Sequence, residues 1–240
     1  MRDGNFCIYL QAEHKKEVNC VARRIKHFGG QHETRPIKDK RQLDELFYYL
    51  LNEREKAKSP IKKYQADRNY MLVLVGMNTA FRAEDLLQLR VCDVSKGYIS
   101  IKENKTGKMQ NFKMNKKFHQ EVLEYIERNN LSMYDYMFLG QKKIVDGKKY
   151  IYPINRQQGH RIVSNAGKQI GIPFVFGLHS LRKTFGYQFL KSNDGAGASL
   201  LTLMKMYNHD SPDVTLRYVC WGKDDAEAAR EATFIGTKKK

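Results

Sequence analysis

Between Ala66 and Thr79 the chain reads as a helix whose middle, Tyr70-Met71-Leu72-Val73-Leu74-Val75-Gly76-Met77, is apolar on every face. A helix that is hydrophobic all round cannot lie on a surface, so other elements must cover it. The run is about a third of the length a bilayer demands, which places it in a packed core rather than a membrane. Cover is available on both sides. Leu43, Leu46, Phe47, Leu50 and Leu51 recur at three and four residues behind Asp39, one face of an amphipathic helix that Pro60 is expected to end. After Thr79 a further helix carries Leu86, Leu87 and Leu89.

The period then shortens. Tyr98 to Ile101 and Met109 to Met114 read as two strands flanking Glu103-Asn104-Lys105-Thr106-Gly107-Lys108, a hairpin with a lysine-rich tip. A helix is predicted over 116–129. Lys142 to Lys149 reads as a basic loop or hairpin around Asp146-Gly147. Further helices are predicted over 155–170, 178–190, 199–207, 212–219 and 224–233. The fold class that follows is mainly α with a small antiparallel β-sheet or hairpin. A chain of 240 residues, 41% of them apolar, can bury one large domain without metal or disulfide staples. We place that domain at 35–235. Residues 1–34 form a short basic segment or linker, a strand or loop from Asn5 to Leu10 followed by a basic helix from Glu13 to Phe28, and 236–240 form a basic tail.

Four cysteines, Cys7, Cys20, Cys92 and Cys220, include no C-x-x-C pair, which argues against a disulfide framework and a structural zinc site. Free thiols fit a reducing compartment. The N-terminal stretch lacks the apolar core of a signal peptide, so a soluble, cytoplasmic chain with no membrane contact is expected. Charge names the partner class: 43 Lys plus Arg against 26 Asp plus Glu give +17, and a polyanion, commonly nucleic acid, is the expected ligand. Which surface lysines touch it is not legible.

Three segments carry candidate chemistry. His179 and Arg182 stand three apart in Gly177-Leu178-His179-Ser180-Leu181-Arg182-Lys183-Thr184, and so share one helix face. His209 precedes Tyr218 by nine residues. Arg82 sits at the break between the apolar helix and the leucine-rich one, three residues before Asp85. Singly each has a bland reading: a solvated polar face, a satisfied core tyrosine, or an Arg82 to Asp85 salt bridge.

Taken in order along the chain, these segments resemble the tyrosine recombinase, or phage integrase, family over about residues 35 to 235. Arg82, Asp85, Leu86, Leu89 and Asp93 occupy the positions of the family's first arginine motif. Lys105 of Asn104-Lys105-Thr106-Gly107-Lys108 matches its hairpin lysine, His179 and Arg182 its H-x-x-R, His209 the histidine of its L-G-H-S segment, and Tyr218 its nucleophile. Departures from the pattern are small. Asp85 replaces the commoner glutamate and is expected to orient Arg82, Tyr207-Asn208 replaces Leu-Gly, and extra residues fall in the loop from Ser192 to Gly197.

The resemblance implies the fold of a DNA breaking-rejoining enzyme and site-specific strand exchange through a covalent 3′-phosphotyrosyl intermediate, encoded by a mobile element or prophage. It implies Arg82 and Arg182 on the phosphate, Lys105 as general acid with Lys108 as fallback, His179 as proton acceptor or organiser, His209 donating to a phosphate oxygen, and Tyr218 as nucleophile. No cofactor or metal is needed. The implied partner is double-stranded DNA, bound by a tetramer whose protomers are monomeric or weakly associated in solution, with accessory DNA-bending proteins and with the helix after Tyr218 either lent to a neighbour or packed back on its own chain. Most relatives carry a further DNA-gripping domain where this chain has about 34 residues, consistent with a natural short form, a fragment or a decayed copy. Two other functions share the fold or the chemistry: a catalytically idle DNA-binding regulator and a type IB topoisomerase-like enzyme.

Overall fold

The computed structural model describes residues 33–145, 148–192 and 197–233. Helix α1 (Lys40–Lys56) is followed by α2 (Pro60–Thr79), two short helices α3 (Ala83–Leu87) and α4 (Val91–Val94), the hairpin β1 (Tyr98–Lys102) and β2 (Met109–Lys113), and α5 (Lys116–Arg128). A second hairpin, β3 (Leu139–Val145) and β4 (Lys148–Pro153), precedes α6 (Arg156–Gln169), α7 (Leu178–Ser192), α8 (Gly197–Tyr207), α9 (Pro212–Tyr218) and α10 (Lys223–Ala232). The expected mainly helical fold with small antiparallel sheets is what is found. The strand and basic helix expected within 1–34, the Asp146-Gly147 turn and the tail lie outside the described residues.

One boundary is corrected. Pro60 does not end the first helix, which stops at Lys56; it opens the second, six residues earlier than the apolar pattern suggested. Ser59 caps that helix by accepting from the Lys62 amide at 3.3 Å, and a proline at the first helical position loses no hydrogen bond. Asp39 caps α1 in the same way through the Arg41 amide at 2.9 Å.

Helix α2 is the centre of the core. Met71, Leu72, Val73 and Val75 have no exposed surface, and α1, α5, α6 and α7 pack around them. Each fully buried aliphatic side chain there contributes about 1.5–3 kcal/mol of hydrophobic stabilisation. The approach of α7 is the consequential one, because α7 carries His179 and Arg182. It depends on Gly76, where a Cβ would lie 2.6 Å from Leu181 Cδ1. Among the described residues no helix is long and apolar enough to cross a membrane.

The first hairpin pairs Tyr98 with Lys113 through to Lys102 with Met109. The stretch left open between loop and hairpin forms the second, with a register break between Leu139 and Lys142.

A smaller apolar cluster lies under the C-terminal helices and contains Ala80, Tyr187, Leu190, Leu203, Tyr207 and Val219, with Tyr218 and Trp221 packed at its edge. None of the residues of α10 is buried. It is fastened at its first turn, where Asp225 accepts from Lys38 Nζ at 2.6 Å and from the Tyr187 hydroxyl at 2.6 Å.

Gly186 on α7 is where this cluster is tightest, since a Cβ there would collide with the Tyr207 hydroxyl and come within 2.7 Å of Val219 Cγ1. Gly186→Ala should therefore overpack the cluster and lower unfolding free energy by about 1–3 kcal/mol in a urea titration, despite the better helix propensity of alanine.

Candidate active site

The break after α2 is made by Ala80, which adopts a left-handed conformation at φ 58° and stops the helix. Two residues on, Arg82 stands in extended backbone at the start of α3. Its guanidinium makes an ion pair with Glu103 (Nη1 to Oε2, 2.8 Å) and donates through Nη2 to the Tyr207 carbonyl at 3.2 Å.

Arg182 arrives from α7. It is buried, donates through Nη1 to the Ala80 carbonyl, and through Nη2 reaches the same Tyr207 carbonyl at 3.2 Å. Two guanidiniums thus meet at one backbone oxygen. The Tyr207 ring lies 4.3 Å from the Arg182 guanidinium carbon, and its hydroxyl donates to the Arg182 carbonyl at 2.5 Å. Burial pushes the Tyr207 phenol far above its ordinary pKa of 10, so it remains a neutral donor.

The turn joining α8 to α9 brings His209. Asn208 takes φ 53° there, the left-handed backbone that the family's glycine would supply and that asparagine tolerates better than most side chains. His209 Nδ1 lies 3.1 Å from Thr215 Oγ1, and its ring meets Tyr218 edge to face at 5.2 Å. Tyr218 is half-buried at the end of α9, with Tyr207 at 5.4 Å and Lys183 Nζ at 5.2 Å from its ring centroid. Burial raises the Tyr218 pKa above 10, while the charges of Arg182 and Arg82 pull in the opposite direction without overcoming it.

One open hollow of about 390 Å³ is lined by Arg82, Lys105, His179, Arg182, His209 and Tyr218 together. All six residues singled out by the sequence therefore share a surface. Lys105 is exposed at the hairpin turn. Lys108, the fallback, instead donates to Asn208 Oδ1 at 3.1 Å.

Asp85 does not orient Arg82, contrary to expectation. Its Oδ1 accepts from the Asn104 amide at 2.8 Å, and its other oxygen is buried without a hydrogen-bond partner. Burial raises its pKa from 3.8. Glu103 is the arginine's carboxylate, and sequence reasoning missed it. A signal was present: Ile99, Ile101 and Glu103 share one side of an alternating strand, so an acid falls on the face that buries Ile99. Arg156, the first residue of α6, was also missed; it lines the hollow and stands 3.7 Å from Glu84. Asp93 plays a local part, accepting from the Arg90 amide at 2.8 Å to cap α4.

Among the described residues no group of three or more His, Cys, Asp or Glu is arranged to hold a metal ion. The chemistry available in the hollow is that of cations around a phenol. Paired guanidinium donors suit the non-bridging oxygens of a phosphate.

Residues 47–222 match the Phage integrase family. Over 199 residues the chain is 32% identical to the probable integrase/recombinase YoeC of Bacillus subtilis (strain 168), covering 82% of this chain and 96% of that protein. Among solved structures it resembles the XerA recombinase (TM-score 0.60, 17% identity, 85% of this chain and 68% of that one). It also resembles the XerH site-specific recombinase in a post-cleavage complex with a palindromic difH substrate (TM-score 0.59, 19% identity, 83% of this chain). A lambda integrase dimer bound to a COC′ core site aligns at TM-score 0.53 and 15% identity over 88% of this chain. The chain spans about half the length of the last two, 54% and 53%.

Both imidazoles are held below the ordinary pKa of 6.5. For His179 the causes are desolvation and then Arg156, Arg182 and Lys183; for His209 they are desolvation and then Arg182 and Arg82. Between the folded and unfolded pKa values the unfolded chain binds more protons, so this contribution to stability is complete above 6.5 and is lost as pH falls below it. Ring-proton NMR titration should place both midpoints below 6.5, with both rings neutral at about pH 7.

Proposed function

The chain belongs to the phage integrase family, that of the tyrosine site-specific recombinases, and from that membership we propose that it cuts and rejoins duplex DNA through a covalent 3′-phosphotyrosyl intermediate with Tyr218 as nucleophile. The observation that carries the reading is the single hollow onto which Arg82, Lys105, His179, Arg182, His209 and Tyr218 all open.

In the proposed step the Tyr218 oxygen bonds to phosphorus while the bond from phosphorus to the deoxyribose 5′-oxygen breaks. Negative charge grows on the two non-bridging oxygens in between. Arg82 and Arg182 face that charge with donors fixed in advance by Glu103 and by the carbonyls of Ala80 and Tyr207. Preorganised cations in a partly dry site are worth far more than the same cations in water. Lys105 protonates the leaving 5′-oxygen. The phenol proton passes to a neutral imidazole: His179 has the open position for it, while His209 fixes the phenol edge to face and supports the phosphate. Because the phosphotyrosyl bond conserves the phosphodiester's energy, the free 5′-hydroxyl can reverse the step without ATP.

Double-stranded DNA is the substrate in this reading, and the net charge of +17 supports it. The resemblance to XerH solved on a difH substrate, and to a lambda integrase tetramer solved on a Holliday junction, supports assembly of four copies on DNA.

A nicked suicide duplex, in which the cleaved end diffuses away and the adduct accumulates, tests the reading. Tyr218→Phe should abolish the covalent adduct and leave DNA retention intact; full adduct formation by that variant would remove Tyr218 from the role. Arg182→Lys, which keeps the charge and loses the fork, should slow adduct formation by at least about 100-fold. Adduct formation should persist in EDTA, because the guanidiniums do the work a divalent clamp does elsewhere, and a strict magnesium requirement would count against the two-arginine account.

A further inference from the structure

Glu103 is the residue at which three of the segments that line the hollow are joined. Its side chain is 1% exposed. Oε2 accepts from Arg82 Nη1 at 2.8 Å, from the Thr106 hydroxyl at 2.6 Å and from Asn208 Nδ2 at 3.0 Å, and Oε1 accepts from Gln110 Nε2 at 3.4 Å. Arg82 belongs to the start of α3, Thr106 to the hairpin turn beside Lys105, and Asn208 to the turn beside His209. Of these donors Arg82 is itself, and Thr106 and Asn208 adjoin, a residue assigned to the proposed reaction; Gln110 completes the carboxylate's partners from β2.

We propose that Glu103 is a positioning residue for strand cleavage, holding the Lys105 turn in register against Arg82 and the His209 turn from beneath the hollow. The inference rests on the cleavage reading above. Main-chain contacts alone leave the turn under-determined: the Glu103 and Gly107 amides donate to the Lys108 and Glu103 carbonyls at 2.9 Å, and the Asn104 amide to Asp85 at 2.8 Å, which fixes the base of the turn. Among the described residues the Glu103 carboxylate is what ties it sideways to the arginine. An ionised carboxylate is what the geometry demands, because every neighbour within reach is a donor. Burial by itself would raise its pKa, but the hydrogen bonds of Thr106 and Arg82 and the charges of Arg82 and Arg182 hold it below 4.5.

A carboxylate that merely screened Arg82 and one that also places Lys105 predict different behaviour toward the leaving group. When sulfur replaces the bridging 5′-oxygen, the Tyr218 oxygen still bonds to phosphorus, but the phosphorus–sulfur bond breaks to give a thiolate that needs no proton. The general acid then becomes dispensable. Wild-type chain and Glu103→Gln are compared in single-turnover adduct formation on matched suicide duplexes with 5′-oxygen or 5′-sulfur.

Glu103→Gln should slow the oxygen substrate about 100-fold, as misplacement by an ångström does, come within about 10-fold of wild type on sulfur, which makes the acid unnecessary, and retain DNA as the wild type does. Equal slowing on both substrates, or an undiminished rate on oxygen, would overturn the proposal. If Glu103→Gln does not fold, Thr106→Val, which removes the 2.6 Å bond to Glu103 and the 3.3 Å bond from the Lys108 amide within the turn, should show the same selective rescue after a loss of about 10-fold, and its absence would overturn the proposal equally. A wild-type chain giving no adduct on either substrate would instead defeat the cleavage reading, and this inference with it.

Discussion

Two guanidiniums donate to the carbonyl of Tyr207, each at 3.2 Å, and the rest of the site is arranged around keeping them there. Two like charges at such separations repel by a few kcal/mol at the effective dielectric of a protein interior. Glu103 answers one of them directly. The other is answered by dipoles, the carbonyls of Ala80 and Tyr207, and by the face of the Tyr207 ring. Ala80 and Asn208 are both non-glycine residues in left-handed backbone, at φ 58° and 53°, a conformation that costs on the order of 1 kcal/mol for a side chain such as alanine. Both lie where the chain turns to aim a carbonyl or a carboxamide at the cluster. Two of the four non-glycine residues in left-handed backbone among the described residues thus stand beside the arginines, Asn130 and Cys220 being the others.

The fold supplies this cluster through close approaches rather than through loops. Gly76 lets α7 seat against the apolar α2, which sets the height of His179 and Arg182. Gly186, about one turn beyond Arg182 on α7, admits the Tyr207 hydroxyl, which returns a hydrogen bond to the Arg182 carbonyl. Tyr207 therefore measures the distance from α7 to the α8–α9 turn with its ring and hydroxyl, and presents its carbonyl to both arginines. One residue later Asn208 reports the same position to Glu103. Core packing and site geometry are here one network, and a change of volume at Gly186 is a change at the arginines.

How much of this could be read from the chain depended on which physical signal each part left. Helix positions were legible because apolar residues recur at three and four, and six of the residues lining the hollow because their order and spacing carry a family pattern. Pro60 was misplaced for a reason intrinsic to proline, which both breaks a helix and starts one; only Ser59 beside it tells the cases apart. The family's acidic position three residues after Arg82 makes Asp85 the expected partner, and helical spacing suggests the same salt bridge, yet Arg82 stands in extended backbone before α3, and its side chain does not follow helical spacing. Glu103 took that place from 21 residues away. A partnership across that separation leaves no trace in local periodicity beyond an acid on the buried side of a strand. The Leu-Gly replacement by Tyr207-Asn208 was legible as a departure, but the use of Tyr207 as shared acceptor was not, since a carbonyl has no sequence signature.

The electrostatics of the hollow also bear on the order of events in the proposed reaction. Burial holds the Tyr218 phenol above 10 even with Arg182 and Arg82 opposing it. A phosphodiester entering the hollow brings a negative charge to those same arginines and so weakens the two influences that favour the phenolate. Binding substrate therefore moves the nucleophile further from ionisation, not toward it. Deprotonation ahead of attack would set a phenolate against a phosphate anion in a half-buried site. Loss of the proton as the bond to phosphorus forms avoids this, because the phenolic charge is spread into the phosphoryl oxygens where the arginines already wait. Neutral imidazoles fit that sequence: both rings are kept below 6.5 by desolvation and by the surrounding cations, so each has a free lone pair at the pH of the reaction. In the proposed reaction desolvation first, and then the cations of the hollow, keep the proton acceptor uncharged.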